Sequence, residues 1–437
     1  MDESLLEKSV KRVQKFGPPR VITVAALKTL TARVLQNLSL NPTETILEPA
    51  ARNTAPAIAL LCKLFELEGR ADQIIGVFPA DHLISDESAF NAAIELAKTC
   101  AEENQIVTLG IKPEYPATGF GYIEISGNNF RTKDSLAACS VQGFREKPNL
   151  ETARNFLAKK NFYWNAGIFV FKVETMILRL SQLCPEIWKG LNSLKLDLSN
   201  LQELYSTLPK VSIDYAVMEK LRDGLLCIPC DIGWSDLGSW DDVSKFSSPP
   251  FSIKFANKSD VVKANAENNF VFSMTDKVYG LIDVKNLIIV DTPDALLVTQ
   301  KGSTQDVKLV VDQLTSRGHR AAKEHGFERR PWGTYLVLKE EVNFKSKLIV
   351  IDPGAQISYQ LHHKRNEHWI ITEGEAEVTL DGTTKKYLPG EALYVPAGVK
   401  HRIRNFGSTP LQFVEVQTGT YFGEDDIERF DDDYGRV

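Results

Sequence analysis

Four of the seven histidines lie between residues 362 and 401, inside two blocks whose spacing is that of a metal site. The first block runs Gly354, Gln360, His362, Glu367, Gly374, and the second runs Gly390, Pro396, Ala397, Gly398, His401, Asn405. Gln360 and His362 stand two apart, so on a strand both side chains point to one face. Glu367 follows a short bend, on the next strand, and His401 arrives from a later strand behind a Pro-Ala-Gly turn. Two imidazoles, a carboxylate and an amide oxygen form a borderline-hard donor set. It suits Zn2+, Mn2+, Co2+ or Fe2+ better than an ion that seeks thiolates. A barrel with buried, hydrogen-bonded histidines is the plainer alternative, but matching at every fixed position of both blocks favours a metal. His363 and His368 each neighbour an expected ligand, so they should face the other side of their strands and play a structural or supporting part.

The first half of the chain carries four further segments that could do chemistry. Glu48-Pro49-Ala50-Ala51-Arg52-Asn53-Thr54 leads into an amphipathic helix with Pro56 in its first turn. A helix N-terminus beside an arginine can take a phosphate or the polar edge of a base, which marks Glu48, Arg52 and Asn53 as binding candidates. A capped helix start is the simpler account. Pro79-Ala80-Asp81-His82 follows the apolar run Ile74–Phe78 and would place Asp81 at the carboxyl end of a parallel strand, where α/β folds bind ligands. Phe144-Arg145-Glu146-Lys147-Pro148 is followed by Tyr163-Trp164-Asn165-Ala166-Gly167. Ser212-Ile213-Asp214-Tyr215 precedes Gly233-Trp234-Ser235-Asp236-Leu237-Gly238. Asp81 and Asp236 together could hold a Mg2+ that neutralises transferring phosphates. Either aspartate alone reads more simply as a cap or turn residue.

These groups need scaffolds. A length of 437 residues implies about three domains, or two with a connector. Hydrophobic residues at 43% and charged residues at 25% are ordinary for a globular chain, which excludes disorder, collagen and a disulfide mini-protein. Lys and Arg number 51 against 57 acidic residues, and no basic run occurs, so no nucleic-acid partner is expected. No stretch of about 18 apolar residues exists and the charged start has no apolar signal core, so no membrane is expected and the cytoplasm is. Six scattered cysteines suit a reducing compartment, and Cys227-Ile228-Pro229-Cys230 reads as two small residues in a strand.

Along the first half, Ile74–Phe78, Ile106–Ile111 and Gly167–Phe171 read as buried strands. Between them, Ile58, Leu61, Cys62 and Phe65 recur at helical spacing, as do Phe90, Ile94, Ala97 and Ala101 within about Ser88 to Glu103. Strands alternating with helices predict a mostly parallel α/β sheet. Ser247-Ser248-Pro249-Pro250 breaks the pattern, and short β-like runs continue to about Val311. The charged stretch Arg317 to Arg330 reads as a helical connector or solvated linker. From Pro331 onward alternation such as Ala376, Val378, Leu380, followed by the turn pair Asp381-Gly382, predicts an all-β barrel. No internal repeat is evident. The expected domains are 1–246, 247–328 and 329–437.

The two histidine blocks resemble the cupin signature, with Gln360 in place of the first histidine of the usual His-x-His. Gln-x-His followed by this Glu and His is similar to the type II phosphomannose isomerases. The likeness runs through Arg330-Pro331-Trp332-Gly333, the stretch QLHHKRNEHW, and the tail GEDDIERFDDDYGR from Gly423 to Arg436. By charge alone the tail is a solvated terminus. Its Arg429 and Arg436 are what a phosphosugar site would use, since guanidinium grips phosphate in a bidentate fork. The four N-terminal segments resemble, in order, those of the mannose-1-phosphate guanylyltransferases, a family in which the two halves are fused.

The resemblance implies a Rossmann-like nucleotidyltransferase domain of GT-A type lacking its first strand, a β-rich connector and a C-terminal cupin barrel. It implies catalytic roles for Lys147, Asp81 and Asp236, with the aspartates on Mg2+. Glu146, Lys147 and Asn165 would contact mannose phosphate, and Gly121 would lie in the sugar-nucleotide cleft. The partners implied are GTP or GDP-mannose, mannose 1-phosphate and mannose 6-phosphate, and a homo-oligomer is left open. Mannose 1-phosphate oxygen would attack the α-phosphate of GTP, releasing pyrophosphate and forming GDP-mannose. In the barrel, a metal would stabilise the enediolate between mannose 6-phosphate and fructose 6-phosphate.

The family's Gly-rich loop, of the form G-x-G-T-R-L-W-P with a lysine shortly after, does not occur, and no glycine precedes Gly17. Backbone N–H groups in such a loop cradle the triphosphate. The following segment, Val21 to Ala26, lacks the polar residues usual there. Three expectations follow: a bifunctional enzyme whose sequence is given only from after the loop, an isomerase on an inactive transferase-like scaffold, or a non-enzymatic sugar-nucleotide sensor. The second would follow from lost transition-state stabilisation, at a tenfold rate for each ~1.4 kcal/mol. The intact donor set in the barrel speaks against the third.

Overall fold

The computed structural model describes residues 3–41, 45–245, 261–274, 277–322 and 325–434. They part into two compact units, residues 1–238 and 239–437. The expected break at Ser247–Pro250 and the tail residue Arg436 lie outside the described residues.

In the first unit a six-stranded sheet runs in the order Ile74–Val77, Phe162–Lys172, Ile106–Ile111, Leu225–Pro229, Leu136–Arg145, Tyr122–Lys133. It is mixed, which corrects the expected mostly parallel sheet: only Ile106–Ile111 and Leu225–Pro229 pair in parallel, and the other neighbours are antiparallel. The cause is the long strand Phe162–Lys172, which enters reversed between Ile74–Val77 and Ile106–Ile111. Asp81 therefore follows a strand whose hydrogen-bonded neighbour is antiparallel. Alternation along that long strand sends Phe169 and Phe171 to one face and Ile168 and Val170 to the other. Helix Thr54–Leu67 packs on the first face and helix Glu87–Glu102 on the second, with Phe90, Ile94, Ala97 and Ala101 all buried as their spacing required. Ile22–Val24 pairs in parallel with Ile46–Glu48 as a separate two-stranded sheet.

The connector in the second unit contains a repeat that the sequence reading missed. Val261 pairs in parallel with Tyr279, Glu267 with Lys285 and Phe270 with Ile288, an offset of 18 residues each time (279 − 261, 285 − 267, 288 − 270). The corners repeat too: Asn265 and Asp283, and Asn268 and Asn286, all have positive φ, between 52° and 57°. Asn268 donates to Asn286 at 2.6 Å, stacking one coil on the next. Asn and Asp tolerate the left-handed region, so they can serve as corners. Two coils are too few to stand out as a period, and only the Asn/Asp positions carried the signal. The β-like runs end earlier than expected, because Val307–Ser316 is a helix. The supposed linker also ends in a strand, Phe327–Arg330, paired antiparallel with Gly333–Glu340.

From Phe327 onward the strands form two sheets. One has six strands, in the order Phe327–Arg330, Gly333–Glu340, Phe344–Ile351, Leu411–Gly419, Arg365–Glu373, Ala392–Val395. The other has five, in the order Thr383–Tyr387, Ala376–Leu380, His401–Asn405, Tyr359–His362, Ile427–Asp431. Within the tail, Ile427–Asp431 is thus a paired strand of this second sheet. Asp381 and Gly382, at φ 41° and 80°, make the tight turn between Leu380 and Thr383. Trp332, Ile349, Ile351, Trp369, Ile371, Ile403 and Phe413 fill the space between the sheets.

Candidate functional site

Inside the barrel the buried stripes change character along each strand. Ile371 and Trp369 give way to Glu367 and Arg365; Ile351 and Ile349 to Lys347 and Lys345; Leu411 and Phe413 to Glu415 and Gln417. Every one of these residues is buried. One end is therefore a hydrocarbon core and the other a chamber of charged groups, an arrangement stability alone does not call for.

His362, Glu367 and His401 meet in that chamber, their ligand atoms all within 4.8 Å of one another. His362 Nε2 is 2.9 Å and His401 Nε2 3.8 Å from the Glu367 carboxylate. His401 Nδ1 lies 2.9 Å from the Val399 carbonyl, which can only accept, so Nδ1 carries the proton and Nε2 presents its lone pair. Both ring nitrogens of His362 and Nε2 of His401 are buried with no aligned hydrogen-bond partner. Buried orphan nitrogens of this kind are costly unless something binds them. The donor set, the burial and the orphaned atoms together fit a divalent metal. Burial pushes the Glu367 carboxyl up, but His362, His401 and Arg365 outweigh it and hold the group well below the usual carboxylate range. Burial, ahead of the neighbouring charges, lowers His401 and favours the neutral ligand form.

Gln360 pairs through its backbone with both His401 and Arg429. Its side-chain oxygen accepts from Ser358 Oγ at 2.7 Å. His363 is exposed, and His368 packs at a tilt against Tyr394, ring centroids 4.7 Å apart, both away from the chamber. Arg429 donates to Glu424 at 3.4 Å. Sequence reasoning missed Lys347, Arg365, Glu415 and Gln417. Gln417 donates to Glu367 at 3.1 Å and to Glu415 at 2.8 Å, and Trp369 donates to both carboxylates. Burial, and then the Glu367 charge, pushes Glu415 up to about 8. The available signal was a lysine and a glutamate at core positions of alternating strands.

In the first unit the third and fourth motifs converge. Asn165 Nδ2 donates to Asp214 Oδ1 at 3.0 Å, while its Oδ1 accepts from Thr108 Oγ1 at 2.9 Å and Gly167 N at 3.1 Å. The Asn165 N–H is held by Gly121 O at 2.8 Å, and a Cβ on Gly121 would stand 2.5 Å from Glu146 Oε2. Lys147 takes a positive φ of 45° and brings its Nζ to 3.6 Å from Glu146. Burial, reinforced by Asp214, pushes Glu146 up to about 7. Gly121, Glu146, Lys147 and Asn165 thus form one polar cluster, joined by Asp214, Thr108 and Glu219, whose carboxylate accepts from Glu146 N at 2.7 Å. Phe120 bridges the Trp164 and Trp234 rings at 5.1 and 5.4 Å, so the aromatic residues of two motifs meet through a residue neither contains.

Asp81 and Asp236 are brought to one end of a short ladder in which Leu83 pairs with Ser235 and Ile84 with Trp234. Trp234 Nε1 donates to His82 Nδ1 at 3.1 Å. Among the described residues the one cluster of three or more metal-binding groups is in the barrel, not here. Glu48 accepts from the buried Tyr205 hydroxyl, Arg52 donates to the Ser206 carbonyl, and Asn53 caps its helix through Thr54 N at 2.8 Å. These three anchor the segment leading to Asp214, since Thr54 Oγ1 also accepts from Ile213 N at 2.9 Å.

Residues 1–248 match the family model for nucleotidyl transferases, 259–314 that of a mannose-phosphate isomerase/GMP-like beta-helix domain, and 317–432 that of the mannose-6-phosphate isomerase C-terminal domain. The chain is 38% identical over 427 residues to the xanthan biosynthesis protein XanB of Xanthomonas campestris pv. campestris (strain B100), covering 96% of this chain and 89% of that protein. It is 37% identical over 446 residues to a mannose-1-phosphate guanylyltransferase of Escherichia coli (strain K12), covering 100% and 92%. A solved structure described as a mannose-1-phosphate geranyltransferase from Thermus thermophilus superposes with a TM-score of 0.56 at 28% identity, over 72% of this chain and 90% of that one. No helix of the described residues is long and apolar enough to cross a membrane.

Proposed function

The chain belongs to the nucleotidyl transferase family, in the form fused to a mannose-6-phosphate isomerase domain, and from that premise we propose two active sites serving GDP-mannose synthesis. The barrel interconverts mannose 6-phosphate and fructose 6-phosphate. The first unit joins mannose 1-phosphate to the α-phosphate of GTP, with pyrophosphate leaving. The product feeds polysaccharide assembly. All six cysteines are free thiols, in keeping with a reducing cytoplasm.

The observation that carries the isomerase is the buried trio with orphaned ring nitrogens. A divalent ion such as Zn2+, Mn2+ or Co2+ held by His362, Glu367 and His401, with Gln360 as a further donor, would supply Lewis acidity to the two sugar oxygens. The isomerisation moves one proton from C2 to C1 and one from O2 to O1, with no net gain. Val399 fixes the His401 tautomer, and Trp369 with Gln417 fixes the Glu367 carboxylate. Trp369, Ile371 and Phe413 seal one end of the chamber against water.

In the first unit, Asn165 and Asp214 present a rigid polar edge for sugar hydroxyls, with Glu146 held against them and Lys147 on the rim. Asp81 and Asp236 would hold Mg2+ against the nucleotide phosphates, so catalysis there is positioning plus charge neutralisation. Glu48, Arg52 and Asn53 shape the neighbouring wall.

Both reactions should be assayed on the 437-residue chain, with and without a chelator. Isomerase activity that survives complete metal removal would overturn the barrel assignment. Absence of GDP-mannose formation from GTP, Mg2+ and mannose 1-phosphate would overturn the transferase half alone.

A further inference from the structure

At the barrel's charged end, cations gather near the exposed Glu424 carboxylate. Glu424 belongs to the short turn Glu424–Asp426, just before the last strand. Arg429 donates to Glu424 Oε2 at 3.4 Å. Arg365 donates to the carbonyl of Gly423, one residue earlier, at 3.0 Å. Lys347 and Arg330 both lie against the Tyr335 ring, at 5.3 and 5.7 Å. Burial pushes the Glu424 carboxyl up, but Lys347, Arg330, Arg429 and Arg365 together outweigh it and hold the group below its usual range. The four cations come from four different strands, and Lys347 and Arg365 are themselves only 8% and 3% exposed. Three of them also meet carboxylates fixed on strands: Arg330 meets Glu328 at 2.8 Å, Lys347 meets Glu415 at 3.7 Å and Arg365 meets Glu367 at 3.3 Å.

Glu424 differs from those partners in being held by its side chain alone. The turn around it is fastened on both sides: Arg365 grips Gly423, and Lys364 N donates to the buried Asp426 at 3.1 Å. The Glu424 side chain is 54% exposed and can swing out without unfastening the turn.

We propose that this carboxylate occupies the place of the substrate's phosphate. On binding, the phosphate of the sugar displaces the Glu424 side chain and pairs with Arg429, with Arg365 beside it at Gly423. Carboxylate and phosphate present similar oxygens to guanidinium, but the phosphate dianion carries the larger charge, so the exchange runs towards substrate. Glu424 is then an internal competitor that keeps the cradle paired while the site is empty and lowers apparent affinity by the fraction of time it occupies it. This deepens the isomerase reading and rests on it for the identity of the phosphate's bearer.

The test uses the full chain loaded with metal. Inorganic phosphate is the probe, measured by calorimetry and as a competitive inhibitor of mannose 6-phosphate turnover. Glu424→Gln should tighten phosphate and lower KM by about 3- to 10-fold, with kcat little changed. Arg429→Gln should weaken both by about 10-fold or more, with partial rescue in Arg429→Lys. Phosphate bound elsewhere on the chain would not follow a change at residue 424. A normal isomerase in which Glu424→Gln shifts neither quantity by more than about twofold overturns the cradle and leaves the isomerase intact. Phosphate affinity that answers to residues 424 and 429 in a chain without isomerase activity supports the cradle and overturns the isomerase.

Discussion

Lys347 and Glu415 face each other across neighbouring strands inside the barrel, Nζ 3.7 Å from Oε1, both less than a tenth exposed. Ile349 and Phe413 occupy the next inward rung, so the pair marks where the hydrocarbon core ends and the charged chamber begins. Glu415 is pushed up to about 8, so removing Lys347 leaves a buried carboxyl that takes a proton rather than a bare charge. The cost is that of an unpaired buried polar group, about 1–3 kcal/mol. Lys347→Met alone should therefore lower the melting temperature of the barrel by several degrees. Lys347→Met with Glu415→Leu should recover most of the loss. A cycle with no coupling between the two sites would show that they act independently.

Chelation should abolish mannose 6-phosphate isomerisation and lower the barrel's melting temperature, because a bound ion would satisfy the buried ring nitrogens of His362 and His401 Nε2 that have no aligned hydrogen bond. His362→Ala and Glu367→Gln should each reduce bound metal by about 10- to 100-fold by mass spectrometry or dye competition. Guanylyl transfer, once Mg2+ is restored, should be unaffected in both variants. Full metal content in either variant would contradict the ligand assignment.

The convergence of His362, Glu367 and His401 was legible because cupin-type blocks put such residues at fixed offsets on alternating strands. The apolar stripes of helices Thr54–Leu67 and Glu87–Glu102 were legible for the same reason at helical spacing. The sheet's direction was not. Nothing local in Phe162–Lys172 says that it enters antiparallel between two strands distant in sequence. The helix Val307–Ser316 was hidden because the β-like runs read on to about Val311, although Leu309, Val310 and Val311 are exposed on the helix. The chamber's wall was missed because Lys347 and Glu415 look like surface residues until their strands are seen to be inward-facing. Asp214 was quoted within its motif, but its hold on Asn165 spans 49 residues and needs the fold.

Glu146 sets a pH dependence. Its carboxyl is raised to about 7 from an ordinary 4.5, chiefly by burial and then by Asp214, so the folded state binds the proton more tightly than the unfolded chain. The stabilisation is complete below the ordinary value and is lost as pH rises through about 7. Wild type should lose on the order of 1–3 kcal/mol between about pH 5 and 8 from this group, at ~1.4 kcal/mol per unit. Glu146→Gln, which mimics the protonated form, should flatten that part of the profile in thermal melts. An unchanged slope would place the titration elsewhere.

Gly121 is the sharpest probe of the proposed sugar site, because what it lacks is a single atom. A Cβ there would stand 2.5 Å from Glu146 Oε2 and 3.3 Å from the Phe144 ring. Gly121 does not take a positive φ, so the backbone would accept alanine and only the contact is at stake. The Glu146 side chain can turn away, which keeps the fold but removes its carboxylate from beside Asn165 and Asp214. Gly121→Ala should therefore raise KM for mannose 1-phosphate by about 10-fold or more, with little change in melting temperature, since about 1.4 kcal/mol of lost binding is tenfold. The isomerase, in the other unit, provides the internal control and should run unchanged. Wild-type transferase kinetics in this variant would remove Gly121 and Glu146 from the sugar site together.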